Sequence, residues 1–455
     1  MTLYEKYSEI LQSHSTWDYY KNSPNFNTMT EVYKSKTFDY FFENDNAYYF
    51  IRKYFETGGK SMALDQITNI YNNKIPNLHE KLKKRFIHTL SAFFLGLSII
   101  DSLWSKGCNF IINNEKYDFV YVWFLTCLFH DVGYVYEYDE QLQDDIIRSI
   151  REFDCFEKIN ELNLGVQNEI RGNSDFQYLI SESKRVSFST PDTKEPTIEK
   201  HDFVIKKTAL YPDIIVNNYG KYRAVEFGVL DHGIAGGIIL YKNLLKMYQM
   251  DYKNYLLKEK AQFGPLIPFN NSSDLRVAPA HLALWYYIAN CIVAHNIWKC
   301  PKNKKAIYNF FGLNNLIDDK FNKLSLGNNP LLFLLSLVDT LEPIKGFEDK
   351  FDQLDYLKSI QYCVNGEKKS YCLCFQYPNE KQAKKLQTDL EDWIDLEAKA
   401  TGKCLEIRFD KLDTIDAQLM VEIESDNSEN DSKSNEVDLK ASISEAELRK
   451  LLERN

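Results

Sequence analysis

Residues 119–134 read Phe-Val-Tyr-Val-Trp-Phe-Leu-Thr-Cys-Leu-Phe-His-Asp-Val-Gly-Tyr, an apolar run that stops abruptly on His130 and Asp131. From Tyr117 to His130 the chain is apolar nearly all round, which predicts a helix buried on most sides, and Gly133 lets the chain turn just beyond it. An imidazole and a carboxylate at the end of such a helix need desolvated partners, and a metal ion is one natural partner. Taken alone, the dipeptide is better read as a helix-terminal His with an Asp capping the next turn. The surrounding sequence changes that balance.

Upstream, Phe86, Leu90, Phe93, Leu97 and Ile100 fall at helical spacing and predict the core stripe of one long helix beginning near Leu78, with His88 on it. Downstream, Ile234 to Met250, His281 to Trp298 and Pro330 to Leu341 read as apolar helices, and Asp339 interrupts the last of them among Leu, Phe and Val. His232 and His295 lie in or beside such segments. A helical core that brings His88, His130, Asp131, His232, His295 and Asp339 together would satisfy groups that few buried alternatives can satisfy. His201 to Lys207 and Tyr222 to Val229 are compatible with short strands or with further helices.

Outside this core, residues 1–77 are rich in Tyr, Phe and Asn and read as short helices, with a turn at Gly58-Gly59. Residues 78–350 form the main unit, with an insertion at about 139–229 that contains the polar stretch Ser187 to Pro196. Residues 351–423 read as a small α+β domain. In it Tyr356 to Val364 and Ser370 to Tyr377 are strand-like around Asn365-Gly366, Asn379 to Ala400 is an amphipathic helix, and Cys404 to Phe409 is a third strand. Residues 424–455 are an acidic linker followed by a short helix that opens on the capping box Ser444-Glu445-Ala446-Glu447. The fold class is mainly α with a small C-terminal α+β domain, and that domain is the place for a protein partner or self-association.

Composition bounds the function. The chain has 455 residues, 44% hydrophobic and 26% charged, with 30 Tyr and 29 Phe, so it folds around a sizeable core. Its 55 basic and 65 acidic side chains leave a formal charge of −10. Six of the acids lie between Glu424 and Asp438 against the single Lys433, so the body is only mildly acidic. Dense basic runs are confined to Lys81–Arg85 and Lys299–Lys305, which weighs against broad nucleic-acid binding. Nine Cys, an odd number, and a charged amphipathic start point to reduced thiols in the cytoplasm. The run Phe119 to Phe129 is too short to span a bilayer, and no membrane association is expected.

The order His, His-Asp, His, His, Asp resembles the HD-domain metal-dependent phosphohydrolase superfamily. The matching text is Arg85-Phe-Ile-His88, Phe129-His130-Asp131-Val-Gly133-Tyr134, Asp231-His232-Gly-Ile-Ala-Gly236, Val293-Ala-His295-Asn296 and Val338-Asp339-Thr-Leu-Glu342-Pro343-Ile-Lys345. The last segment is the most telling, because the branch that resembles bacterial diadenosine tetraphosphatases has a closing Asp followed by Glu-Pro and a basic residue. The likeness spans about residues 80–350. It departs at Tyr134, where several branches carry Lys, and at Asn296, where a second His is common. The resemblance implies an HD-type helical metal-binding core.

That ligand set suits one or two divalent ions per chain, of Mn, Fe, Ni or Mg. Site one is expected to be His88, His130 and Asp339, and site two His232 and His295 with Asp131 as the bridge to a nucleophilic water. Arg85, one helical turn before His88, and Lys345 are candidates to neutralise phosphate. Glu226 and Asp231 are candidate orienting partners for an imidazole, and Gly233, Gly236 and Gly237 read as close packing. His281, fourteen positions before His295 and so about 21 Å away along a helix, reads as structural or as an edge of the substrate site. His14, His79 and His201 read as surface residues. The expected function is hydrolysis of a phosphodiester or phosphoanhydride bond in a nucleotide or phosphorylated small molecule. The alternatives are an HD-type nuclease acting on single-stranded nucleic acid in defence, and a regulatory protein that has lost turnover.

Overall fold

The computed structural model describes residues 1–13, 31–57 except 44, 78–137 except 105–107 and 113–114, 201–205, 218–244 except 243, 279–296, 309–313, 323–346 except 328, and 350–410 apart from 367–369, 378, 391–393 and 402. The expected insertion helices and loop at 139–200, the acidic linker and the final helix lie outside these residues.

In chain order the elements begin with α1 (Leu3–Gln12), α2 (Asn46–Thr57), α3 (Leu78–Leu103), β1 (Cys108–Ile112), β2 (Glu115–Asp118), α4 (Phe119–Cys127) and α5 (Tyr134–Glu137). There follow β3 (His201–Val204), α6 (Gly220–Phe227), α7 (232–242), α8 (Pro279–Ala294), α9 (Pro330–Leu341) and α10 (Lys350–Ser359). The chain then runs through β4 (Gln361–Gly366), β5 (Ser370–Gln376), α11 (Glu380–Leu390), β6 (Glu397–Thr401) and β7 (Cys404–Asp410). The protein is mainly helical, with one small sheet in the order β2-β1-β3 and a second in the order β4-β5-β7-β6.

Helix α3 is the axis of the core. From His88 to Ile100 every residue is buried, so the expected stripe is in fact burial on all sides. It packs on α1, α2, α4 and α9, and by length and composition its segment Arg85–Leu103 could cross a membrane. Here its apolar surface is spent against protein instead. Gly96 makes the contact with α4 close, since a Cβ there would stand 2.2 Å from the Trp123 ring, whose Nε1 donates to the Phe93 carbonyl. The N-terminal region joins the same core through Tyr7, Phe38, Phe41 and Phe50 clustered around Phe94, Phe38 edge-on to it and the other three tilted. Leu3 N–H donates to the Ile360 carbonyl, which ties the chain start to the strand that follows.

Several boundaries differ from expectation. Helix α4 starts at Phe119 rather than Tyr117, because β2 pairs antiparallel with β1 up to Asp118, and the Asp118 carboxylate then accepts from Val120 N–H as the helix cap. The two ambiguous runs part company. His201–Val204 is a strand parallel to β1, and Gly220–Phe227 is a helix stopped by Gly228 in the left-handed conformation. Tyr356 belongs to α10, where Gln353, Tyr356 and Leu357 fall at helical spacing and bury that face, so the strand begins only at Gln361. The expected helix to Ala400 ends at Leu390. Glu397–Thr401 alternates buried Ala398 and half-buried Ala400 with exposed neighbours, and pairs as an edge strand with β7.

Candidate metal centre

Four imidazoles form a row, with ring centroids 5.6 Å apart for His88 and His130, 5.2 Å for His130 and His295, and 5.3 Å for His295 and His232. All four are buried, 5% exposed or less. Each is anchored through Nδ1. His130 and His295 stand just past the ends of the apolar helices α4 and α8, and each Nδ1–H donates over 2.6 Å to the carbonyl three residues back, at Cys127 and Ile292 respectively. Those carbonyls belong to the last helical turn, which has no intrahelical donors left to offer them. His88 Nδ1–H donates to Glu342 Oε2 at 2.6 Å, and His232 Nδ1–H donates to Glu137 Oε2.

With Nδ1 so engaged, the neutral form of each ring has its lone pair on Nε2, and these nitrogens face the two carboxylates. His88 Nε2 lies 3.3 Å from Asp131 Oδ2 and 3.2 Å from Asp339 Oδ1. His130 Nε2 lies 3.2 Å from Asp131 Oδ1 and 3.8 Å from Asp339 Oδ1, and His232 Nε2 lies 3.6 Å from Asp131 Oδ1. Two sets have ligand atoms all within 4.8 Å of one another: His88, His130 and Asp339, and His130, Asp131 and His295. The first coincides with the expected site one. The second differs from the expected pairing, because His130 sits in both sets and His232 Nε2 accepts a hydrogen bond from Asn296 Nδ2 at 2.8 Å.

Three buried atoms of the cluster, His130 Nε2, His295 Nε2 and Asp131 Oδ2, have no hydrogen-bond partner. A lone pair buried without a donor is costly, and a cation is the partner that satisfies several at once. These His and Asp groups can therefore hold a metal ion. The charges agree. Asp131, Glu137, Asp231, Asp339 and Glu342 set five negative charges against Arg85, Arg223 and Lys345, leaving two in excess. Without a metal, His88 takes up part of that excess. Burial pulls its pKa down, but Asp131, Glu342 and Asp339 outweigh burial and lift it to about 9. His295 goes the other way, to about 3, through burial and the neighbouring His130 and His232. Burial raises the Asp131 carboxyl, yet His130, His88, His232 and Arg85 hold it down to about 2.

The remaining expected residues are placed as follows. Arg85 lies 3.9 Å from Asp131 Oδ2, and its guanidinium stacks 3.8 Å over the Tyr134 ring, which in turn stacks 3.6 Å from His232. Lys345 is partly exposed, and its ammonium donates to the Asp339 carbonyl and reaches Asp339 Oδ1 at 3.5 Å. Asp231 does not hold His232. Its carboxylate accepts from Ile234 N–H and pairs with Arg223, because the start of α7 needs a cap there. Glu226 is half-buried on α6, and the carboxylates that hold imidazole Nδ1 atoms are Glu137 and Glu342. Glu342 was visible in the Glu-Pro segment, but Glu137 and its partner Arg223 carry no local signal, lying 95 and 9 residues from His232.

The glycines do bring helices close: a Cβ on Gly237 would meet the Ala289 carbonyl at 2.6 Å, and one on Gly133 the His232 carbonyl at 1.8 Å. His281 is on the first turn of α8 and His201 on β3, but the side chains of both, and those of His14 and His79, lie outside the described residues. No family model, no curated protein and no solved structure matches this chain.

Proposed function

We propose that the protein is an HD-type metal-dependent phosphohydrolase that cleaves a phosphodiester or phosphoanhydride bond in a nucleotide or related phosphorylated small molecule. The observation that carries this reading is the set of four imidazoles, each locked through Nδ1 so that Nε2 points at Asp131 and Asp339. His88, His130, Asp131, His295 and Asp339 would hold the ion or ions, and His232 would join once its bond from Asn296 is released. When bound, a divalent metal supplies a hydroxide near neutral pH and polarises a phosphoryl oxygen.

The chain's own groups fit the rest of the task. Arg85 is stacked on the Tyr134 ring beside Asp131, where its guanidinium offers a phosphate oxygen a charge-assisted bond. Lys345 caps the Asp339 side and offers a second positive charge at the mouth. Glu342 and Glu137 keep His88 and His232 in the tautomer that offers Nε2 inward. Tyr134 is covered by Arg85 on one face and His232 on the other, so it is not a stacking platform for a base.

The test is metal analysis of the purified protein followed by assay of mono- and dinucleotides with Mn and Mg. Asp131→Ala should abolish both metal content and turnover while far-UV circular dichroism is kept. Full activity and unchanged metal stoichiometry in that variant would refute the proposal.

A further inference from the structure

The two ligand sets compete for one nitrogen. His130 belongs to both, with His88 and Asp339 in one and with Asp131 and His295 in the other. Its Nδ1–H is committed to the Cys127 carbonyl, so Nε2 is the ligand atom the ring offers, and one imidazole lone pair binds one ion. Both sets therefore cannot be filled at once. His130 goes with the denser group. The contacts of His88 and His130 Nε2 with the oxygens of Asp131 and Asp339 run from 3.2 to 3.8 Å. Adjacent ligands on a six-coordinate ion about 2.1 Å away stand ~3.0 Å apart, so these four residues need close in only slightly. With His130 used there, Asp131, His232 and His295 are left for a second ion, and His295 Nε2 is buried without a hydrogen-bond partner.

His232 is the member of that second group that is already engaged. Its Nε2 lies 3.6 Å from Asp131 Oδ1 but accepts from Asn296 Nδ2 at 2.8 Å. Glu137 holds the other ring nitrogen, so the ring cannot offer a different atom. Asn296 directly follows His295 beyond the end of α8, and its carbonyl accepts from the Tyr219 hydroxyl at 2.9 Å. Gly233 packs the start of α7 against the same helix end, where a Cβ would stand 2.9 Å from the Ile292 carbonyl and 3.0 Å from the His295 ring. The backbones of both partners are thus set. What frees His232 is rotation of the Asn296 side chain.

We infer that the centre binds two divalent ions unequally, the first tightly through His88, His130, Asp131 and Asp339, the second weakly through Asp131, His232 and His295 because Asn296 must first release His232. The inference rests on the metal-binding reading of the centre and adds to it that Asn296 is a positioning residue that governs the second place. Occupancy of that place then follows the free metal concentration over a range in which the first place stays full. A neutral hydrogen bond of this kind is worth a factor of roughly 2–12 in an equilibrium, and removing it should tighten the second ion by about that factor.

The full-length protein, stripped of metal, is titrated with Mn2+ and followed by calorimetry and electron paramagnetic resonance. The unaltered protein should bind its first equivalent at least about tenfold more tightly than its second. Asn296→Ala keeps the backbone bond from Tyr219; it should tighten the second step roughly fivefold and leave the first within about twofold. The second equivalent should broaden the resonance of the first by exchange, because Asp131 is shared. His232→Ala placed on top of Asn296→Ala should remove the second step and keep the first. A second step too weak to see until Asn296 is replaced supports the inference equally. Two equal steps in the unaltered protein, a second step that is absent or unmoved in N296A, or equal weakening of both steps there would overturn it while leaving the metal centre standing. Binding of no ion by the unaltered protein would instead refute the metal reading itself, and this inference with it.

Discussion

Replacing Glu342 by Gln isolates the anchoring of His88 from metal contact, because Glu342 is fully buried and touches the imidazole only at the nitrogen that faces away from the centre. Its Oε2 accepts from His88 Nδ1 at 2.6 Å and Lys345 N–H at 3.0 Å, and its Oε1 accepts from Ile344 N–H at 3.0 Å. Glutamine keeps the volume but turns one of these acceptors into a donor. If the amide nitrogen takes the Oε1 position, the bond from Ile344 is lost and two donors face each other, at a cost of about 1.5–3 kcal/mol. The bond from His88 survives without its charge, which lowers the basicity of Nε2 and lets the ring tilt. Losses of this kind around a metal ligand weaken binding roughly 10–100-fold. Urea denaturation of the metal-free protein should report the first quantity, and calorimetric titration with Mn2+ the second. A dissociation constant within twofold of the unaltered protein would show that His88 is not a ligand or that Glu342 does not orient it.

Four further outcomes follow from the same geometry. Gly133→Ala should destabilise the protein by roughly 2–4 kcal/mol, because a Cβ 1.8 Å from the His232 carbonyl and 2.7 Å from the Gly236 nitrogen must push backbone apart; denaturation at normal stability would contradict that packing. Metal binding at pH 7.5 should release about one proton per chain from His88, whose pKa near 9 keeps it charged in the metal-free state; calorimetry in buffers of different ionisation enthalpy reads this, and zero release argues against it. Metal-free stability should peak near pH 6.5. His88, with its pKa raised, contributes fully below its unfolded value and loses the contribution as pH climbs toward 9, whereas His295, depressed to about 3, makes stability fall as pH drops below its unfolded value; a thermal-melt series in chelator that is flat from pH 5 to 9 would exclude both assignments. Arg85→Ala should raise KM for a phosphorylated substrate tenfold or more with a smaller change in kcat, and an unchanged KM would remove Arg85 from phosphate binding.

The helices that carry the candidate ligands were legible because their signals are local. Apolar runs bounded by His and Asp mark α4, α8 and α9, and the stripe from Phe86 to Ile100 marks α3 as a helix, although its burial runs all round from His88 to Ile100 rather than along one stripe. The sheet β2-β1-β3 was not legible: β1 and β2 are five and four residues long, and the third strand comes from His201, about ninety positions away. Edge strand β6 was hidden for a related reason, since Glu397-Ala-Lys-Ala-Thr401 has strong helix formers and only pairing with β7 makes it extended. At the centre, His88, His130, Asp131, His295 and Asp339 could be named from pattern, but their grouping could not, because which Nε2 faces which carboxylate depends on anchors contributed by other elements. Glu137 is the sharpest case. It is an ordinary acid after three residues of a short helix, and it matters only because α7 places His232 against it.

The anchors also decide what the metal-free centre is. Two imidazoles are tied to carbonyls of their own helix ends, and two to carboxylates that are themselves tied, buried Glu342 to the backbone at 344–345 and half-buried Glu137 to Arg223. None of these bonds uses a ligand atom. Removing a metal therefore leaves the rings where they are and exposes only the cost of bringing unpartnered Nε2 and carboxylate oxygens together, part of which the proton on His88 offsets. A centre built this way should be preformed, so that binding needs little ordering and its free energy goes into affinity rather than into folding. The consequence separates it from a zinc-finger type of site. Adding chelator should lower the melting temperature modestly and leave far-UV circular dichroism unchanged, whereas collapse of the helical signal on chelation would show that the imidazole anchors do not hold the row without the ion.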